Sequence, residues 1–128
     1  MTFLVDSDIL IEVSRGRDKG IVSKFSKWMD LSNSDAAGLY SPVSVAELWT
    51  TARPGEYDAL NNLFRSLTCI PIDEETGHQA GVYLRQYRRS HGVEVAYALI
   101  AASAVLNHAE LWTRSRKHYP MKDVSFFD

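Results

Sequence analysis

Short apolar runs that end in acid or turn residues alternate along this chain with longer stretches of helical spacing. Phe3-Leu4-Val5 runs straight into Asp6-Ser7-Asp8. This reads as a buried strand, then a capped helix carrying Ile9, Leu10, Ile11 and Val13 as far as Gly16. Lys19 to Leu31 places Ile21, Val22, Phe25, Trp28, Met29 and Leu31 on one helical face. A turn-rich break at Asn33 to Gly38 precedes a second short strand, Gly38 to Ser41. Helices are expected over Ser44 to Thr51, Glu56 to Leu67, Asp73 to Arg89 and Val95 to Asn107. Further strands are expected at Cys69 to Ile72 and Glu110 to Thr113, with Val124 to Phe127 as an edge strand. Strands alternating with helices predict an α/β fold, a parallel sheet of four or five strands covered by helices on both faces. Sites in such sheets gather at the carboxyl ends of the strands.

That edge collects the candidate chemistry. Asp6 ends the first strand, where it either caps the next helix or offers a carboxylate to a cation. Asp8, two residues on, could cap or join an outer shell of the same site. Glu47 closes Ser44-Val45-Ala46-Glu47, a capping-box spacing. It is also a glutamate among Val43, Ala46, Leu48 and Trp49, and a buried charge in such company needs a partner. Mg²⁺ prefers oxygen donors, and phosphodiester cleavage with two metals uses acids from separate elements, one ion activating water and the other steadying the leaving oxygen. Two acids by themselves are weak support for such a site.

The composition narrows the classes. The chain has 128 residues, 45% hydrophobic and 23% charged, which suits one globular domain over 1–128. A formal net charge of -2 argues against a globally basic nucleic-acid binder, though not against a local basic patch. Cys69 is the sole cysteine, so an intrachain disulfide is excluded and a cytoplasmic, reducing setting is the simplest reading. No secretory signal is visible, and the longest apolar run, Val95 to Leu106, is only about one-half to two-thirds of a membrane span.

Three segments together resemble the PIN-domain nucleases, in particular the VapC-type toxins of bacterial toxin–antitoxin pairs: FLVDSDILIE, SPVSVAELW and LIAASAVLNHAELWTRSRKHYP. The likeness covers essentially the whole chain. It implies a PIN-like α/β/α sandwich, Mg²⁺- or Mn²⁺-dependent cleavage of RNA, a homodimer and an antitoxin partner. By position it makes Asp6 and Glu47 metal ligands and places Thr113 in the site lining. Two positions depart from the pattern. Tyr97 stands where the third acid, normally Asp, belongs, and Ser115 stands where Asn or Asp is usual. A neutral phenol with a pKa of about 10 is a poor Mg²⁺ ligand. The expectation is therefore an impaired metal site, with a catalytically silent PIN domain that binds antitoxin or RNA as the alternative. Glu94, three residues before Tyr97, could substitute only if the helix began early.

Two basic clusters remain. Arg85, Arg88, Arg89 and His91 read as a solvated helix face, whereas Arg114, Arg116, Lys117 and His118 follow the site and could contact RNA phosphates or acids of an antitoxin. His118 reads as a phosphate or surface contact rather than a ligand. Asp123 and Asp128 read as surface residues. Phe25, Trp28, Met29 and Trp49 read either as ordinary core or as candidates for a dimer interface or an antitoxin groove.

Overall fold

The computed structural model describes residues 2–31 and 37–128. Its sheet is parallel throughout, as the alternation of strands and helices predicts. β1 (Thr2–Val5) lies at the centre, between β2 (Ala37–Tyr40) and β4 (Glu110–Trp112), with β3 (Thr68–Cys69) outside β2. Leu4 pairs with Leu39 on one side and Leu111 on the other. The expected edge strand at residues 124–127 is reduced to a single parallel bridge, Leu111 to Phe126, beside β4. The expected break at residues 33–38 lies outside the described residues apart from its last two, which open β2.

Successive side chains of a strand face opposite ways, and this period of two divides the core. Leu4, Leu39 and Leu111 face α5 (Glu74–His91) and α6 (Val95–Leu106), where Ala80, Tyr83, Ala98, Ala101 and Ala102 are buried. Phe3, Val5 and Trp112 face the opposite layer, built by α1 (Ser7–Arg15), α2 (Lys19–Leu31) and α4 (Tyr57–Arg65). The alanines of α6 pack against α5 along their shared face. The far layer is filled by rings instead: Phe3 stacks on Phe127 at 5.0 Å and meets Trp112 and Trp28 edge-on. The result is the α/β/α sandwich.

α3 (Pro42–Thr51) touches both α1 and α6 and so bridges the two layers. Its start differs from expectation. Ser41 is the N-cap, accepting from the Val43 N–H, and Pro42 takes the first helical position, where a missing N–H costs nothing. Ser44 is therefore inside the helix and fully buried, and no Ser44–Glu47 capping box exists. α4 starts at Tyr57 after a 3-10 turn at Pro54–Glu56, and β3 is shorter and earlier than expected. Gly16 and Gly92, at φ 65° and 62°, close α1 and α5 in the left-handed conformation that glycine adopts without strain. Of the side chains read as interface candidates, Phe25 is buried, while Trp28, Met29 and Trp49 are partly buried against the aromatic layer.

Candidate functional site

Asp6 is placed by the sheet. Its N–H donates to the Trp112 carbonyl at 2.9 Å, continuing the β1–β4 ladder by one residue, and its side chain caps α1 through the Ser7 N–H at 2.7 Å. Both readings of Asp6, cap and site carboxylate, thus describe the same residue. Its second oxygen, Oδ2, accepts from Thr113 Oγ1 at 2.8 Å and from Tyr119 Oη at 2.7 Å. The residue is 4% exposed. Burial raises its pKa above the ordinary carboxylate value and the charge of Asp8 adds to that, against the hydrogen bonds from Tyr119, Thr113 and Ser7. Tyr119 is pushed in the same direction, first by burial and then by the Asp6 charge.

Asp8 lies two residues on, in the first turn of α1. Its Oδ2 accepts from Ser115 Oγ at 2.9 Å and from the Arg114 N–H at 3.0 Å. Its Oδ1 is buried with no hydrogen-bond partner among the described residues. Ser115 therefore orients Asp8, and its own N–H is held by Thr113 Oγ1 at 3.0 Å. Glu47, from the first turns of α3, is exposed and accepts from Ser7 Oγ at 2.7 Å; Ser44 Oγ is 2.8 Å from the same hydroxyl. Asp6, Ser7, Asp8, Glu47, Tyr97 and Ser115 line one cavity of about 130 Å³.

Tyr97 closes that cavity from α6. Its ring stacks on His118 with centroids 4.4 Å apart and planes at 12°, and it meets Tyr119 edge-on at 5.5 Å. Its pKa is raised by burial, then by the charges of Asp6, Glu47, Glu94 and Asp8. Burial first, and the nearby carboxylate charges second, both favour the neutral phenol. α6 begins at Val95, so Glu94 is its N-cap position and lines a different cavity. Glu94 thus lies outside the lining of the carboxylate cavity.

The donors have the right chemistry for a hard divalent ion, and the orphaned Asp8 oxygen points to an unmet need. As a set they do not fit one. Among the described residues, no group of three or more His, Cys, Asp or Glu side chains could hold a metal ion. Arg114, Arg116 and Lys117 are all exposed beside the site. Arg116 pairs with Asp128 and lies over the Phe126 ring at 4.9 Å, and Arg114 approaches Glu12 at 3.6 Å. Asp123 is exposed but accepts from Tyr83 Oη at 2.8 Å.

Sequence reasoning brought together Asp6, Glu47, Tyr97, Thr113 and Ser115, and left Asp8 in a minor place. It missed Tyr119, Ser7 and Ser44. The Asp-Ser-Asp spacing at a strand end was the available signal for Asp8 and Ser7. Nothing local marks Tyr119, whose bond to Asp6 spans 113 residues.

The chain matches no protein-family model. It is 35% identical over 119 residues to Ribonuclease VapC10 of Mycobacterium tuberculosis, covering 92% of this chain and 86% of that protein. It is 29% identical to Ribonuclease VapC19 of the same organism, covering 92% of each. Among solved structures it is similar to VapBC2 from Rickettsia felis bound to a DNA fragment from their promoter, with a TM-score of 0.81 at 16% identity over 99% of this chain and 98% of that one. It is also similar to VapBC-1 from nontypeable Haemophilus influenzae, with a TM-score of 0.78 at 19% identity over 100% and 98%. No helix among the described residues is long and apolar enough to cross a membrane.

Proposed function

The chain belongs to the VapC ribonuclease family, and from that premise we propose that it is a VapC-type endoribonuclease toxin whose metal site is impaired by Tyr97. Asp6, Glu47 and the orphaned oxygen of Asp8 are the donors left for a divalent ion, Mg²⁺ or Mn²⁺. Thr113 and Tyr119 hold Asp6, Ser115 holds Asp8 and Ser7 holds Glu47. The observation that carries the reading is Tyr97 itself, a neutral ring stacked on His118 in the wall of the carboxylate cavity. It removes one negative charge from the set and fills space beside the rest.

Cleavage of single-stranded RNA by the chain as it stands and by Tyr97→Asp, each with and without Mg²⁺, tests this. The expected outcome is weak or no cleavage by the Tyr97 chain and a gain of more than roughly 100-fold in the variant, since changes to outer-shell partners of a metal alone cost about 10–100-fold. Full Mg²⁺-dependent activity of the Tyr97 chain would sink the reading. A second reading, a silent PIN domain that binds antitoxin or RNA, is favoured by the absence of a three-donor set among the described residues. It predicts no gain from Tyr97→Asp.

An antitoxin partner is part of this proposal, supported by the similarity of the fold to VapBC structures and to a toxin–antitoxin complex from Klebsiella pneumoniae. A homodimer and a cytoplasmic setting belong to the same proposal. Light scattering of the purified chain checks the first; a monomer at micromolar concentration would remove it.

A further inference from the structure

A second polar cavity, about 470 Å³, lies at the other end of α1, lined by Ser14, Arg15, Arg17, Arg53, Gly55 and Glu56 with Ala59. Three arginines face one glutamate there. The same two helices serve both cavities. α1 supplies Ser7 and Asp8 to the carboxylate cavity from its first turn, and Ser14 and Arg15 to this one from its last. α3 supplies Glu47 to the first cavity, and the chain leaving its end supplies Arg53 to the second. Ser7 and Ser14 are seven residues apart, so they project from nearly the same side of α1, about 10 Å apart along its axis.

Not every arginine here is free to act. Arg15 completes the last turn of α1 and pairs with Glu56 at 3.3 Å, which accounts for it structurally. Arg17 also forms an ion pair, with Glu12 at 2.9 Å, but 61% of its side chain stays exposed, against 30% for Arg15, so it can still reach a ligand. Arg53 is exposed, its N–H donates to Glu56 Oε1, and its side chain makes no ion pair among the described residues. Glu12 is shared: it also faces Arg114, whose N–H holds Asp8. Cationic groups thus continue from the rim of the carboxylate cavity, past Glu12, to Arg17 and Arg53.

We propose that this arginine-lined cavity is a phosphate-binding subsite for single-stranded RNA, with Arg17 and Arg53 as its contacts, offset along α1 from the carboxylate cavity. It rests on the reading of the chain as an RNA-directed VapC protein, and it adds where the strand is held. The ligand is an anionic backbone rather than a base, because arginine forks match phosphate oxygens and the lining offers no aromatic ring for stacking. The division of charge gives the site a direction. The carboxylate end repels phosphate unless a cation is bound, while the arginine end attracts it with or without a divalent ion. Holding RNA is therefore independent of divalent metal.

The test is fluorescence polarisation of a labelled single-stranded RNA of about 12 nucleotides with the full chain, in EDTA, across a salt series. Each phosphate contact to a single strand adds about 0.7 to the slope of log affinity against log salt. The Arg17→Ala, Arg53→Ala double variant is expected to lower that slope by about 1.4, which is roughly a 25-fold loss of affinity at about 0.1 M salt relative to extrapolated 1 M. An Arg85→Ala, Arg89→Ala control removes the same charge from exposed positions of α5 and is expected to leave the slope unchanged. Equal losses in the two double variants, or no loss in the first, would overturn the subsite. If Tyr97→Asp still binds and cleaves RNA while the Arg17, Arg53 variant binds normally, only the subsite falls. If no form of the chain binds RNA, the subsite and the ribonuclease reading fall together. Arginine-dependent binding of poly-glutamate, with RNA binding indifferent to Arg17 and Arg53, would overturn the assignment in favour of an acidic protein segment.

Discussion

The two halves of the carboxylate cavity are built to different standards. On the sheet side, Asp6 is buried, capped into α1 and held by Thr113 and Tyr119, while Ser115 and the Arg114 N–H hold one oxygen of Asp8. On the helix side, Glu47 is exposed with a single serine on it, and Tyr97 meets the cavity with a ring and no carboxylate. Three of the four carboxylate oxygens of the sheet half are hydrogen-bonded, Asp8 Oδ1 alone lacking a partner among the described residues, and such hydrogen bonds rigidify what they hold. The helix half carries less of that support. On the proposed reading, in which Tyr97 impairs the site, the positioning hydrogen bonds of the sheet side do not depend on Tyr97, and Tyr97→Asp is expected to restore the site.

That contrast can be broken in order of expected effect. Tyr119→Phe removes a hydrogen bond to a buried carboxylate and is expected to destabilise the chain by about 1.5–3 kcal/mol, the range for hydrogen bonds to charged groups. Urea unfolding checks it, and a loss below about 0.5 kcal/mol, smaller than the net value of an ordinary hydrogen bond, would mean that the sheet half is looser than its geometry. Tyr97→Ala forfeits the stack on His118 and is expected to cost less, about 0.5–1.5 kcal/mol for the aromatic pair. A cost above that of Tyr119→Phe would reverse the ranking of the halves.

The smallest effect is a pH slope. Asp6 has a folded pKa raised above its unfolded value, so the folded state binds the extra proton. Its contribution is fully present below about pH 3.8, the unfolded pKa, and is lost as pH rises through the folded pKa. The stability difference between the chain and Asp6→Asn, followed by thermal melts in EDTA, is therefore expected to move in favour of the variant as pH rises. Movement the other way would mean that the hydrogen bonds from Tyr119, Thr113 and Ser7 outweigh burial.

The sequence made the frame of this site legible where the signal is local. β1 ends in Asp6, α5 is capped by Asp73 through the Thr76 N–H, and Gly16 and Gly92 stop their helices, each within a few residues of its cause. The start of α3 was misplaced because Ser41 and Ser44 are both good caps, and only Pro42 at the first helical position separates them. The edge strand was overstated because Val124 to Phe127 carries strand-like residues but makes only one bridge. Asp8 was undervalued because its unmet oxygen is a property of the packed site rather than of spacing. Phe25 looked like an interface residue because its helix is rich in large side chains. Sequence alone does not say that Trp112 and the rest of the aromatic layer would cover it.

The claim that matters most is that Tyr97 alone separates this cavity from a working metal centre. Calorimetric titration of Mn²⁺ into the chain and into Tyr97→Asp measures that without any need for catalysis. The account predicts weak binding by the chain and at least about 10–100-fold tighter binding by the variant, the range set by changes around a metal's ligands. Equal and tight binding by both would contradict it, because Asp6, Asp8 and Glu47 would then suffice without the missing acid.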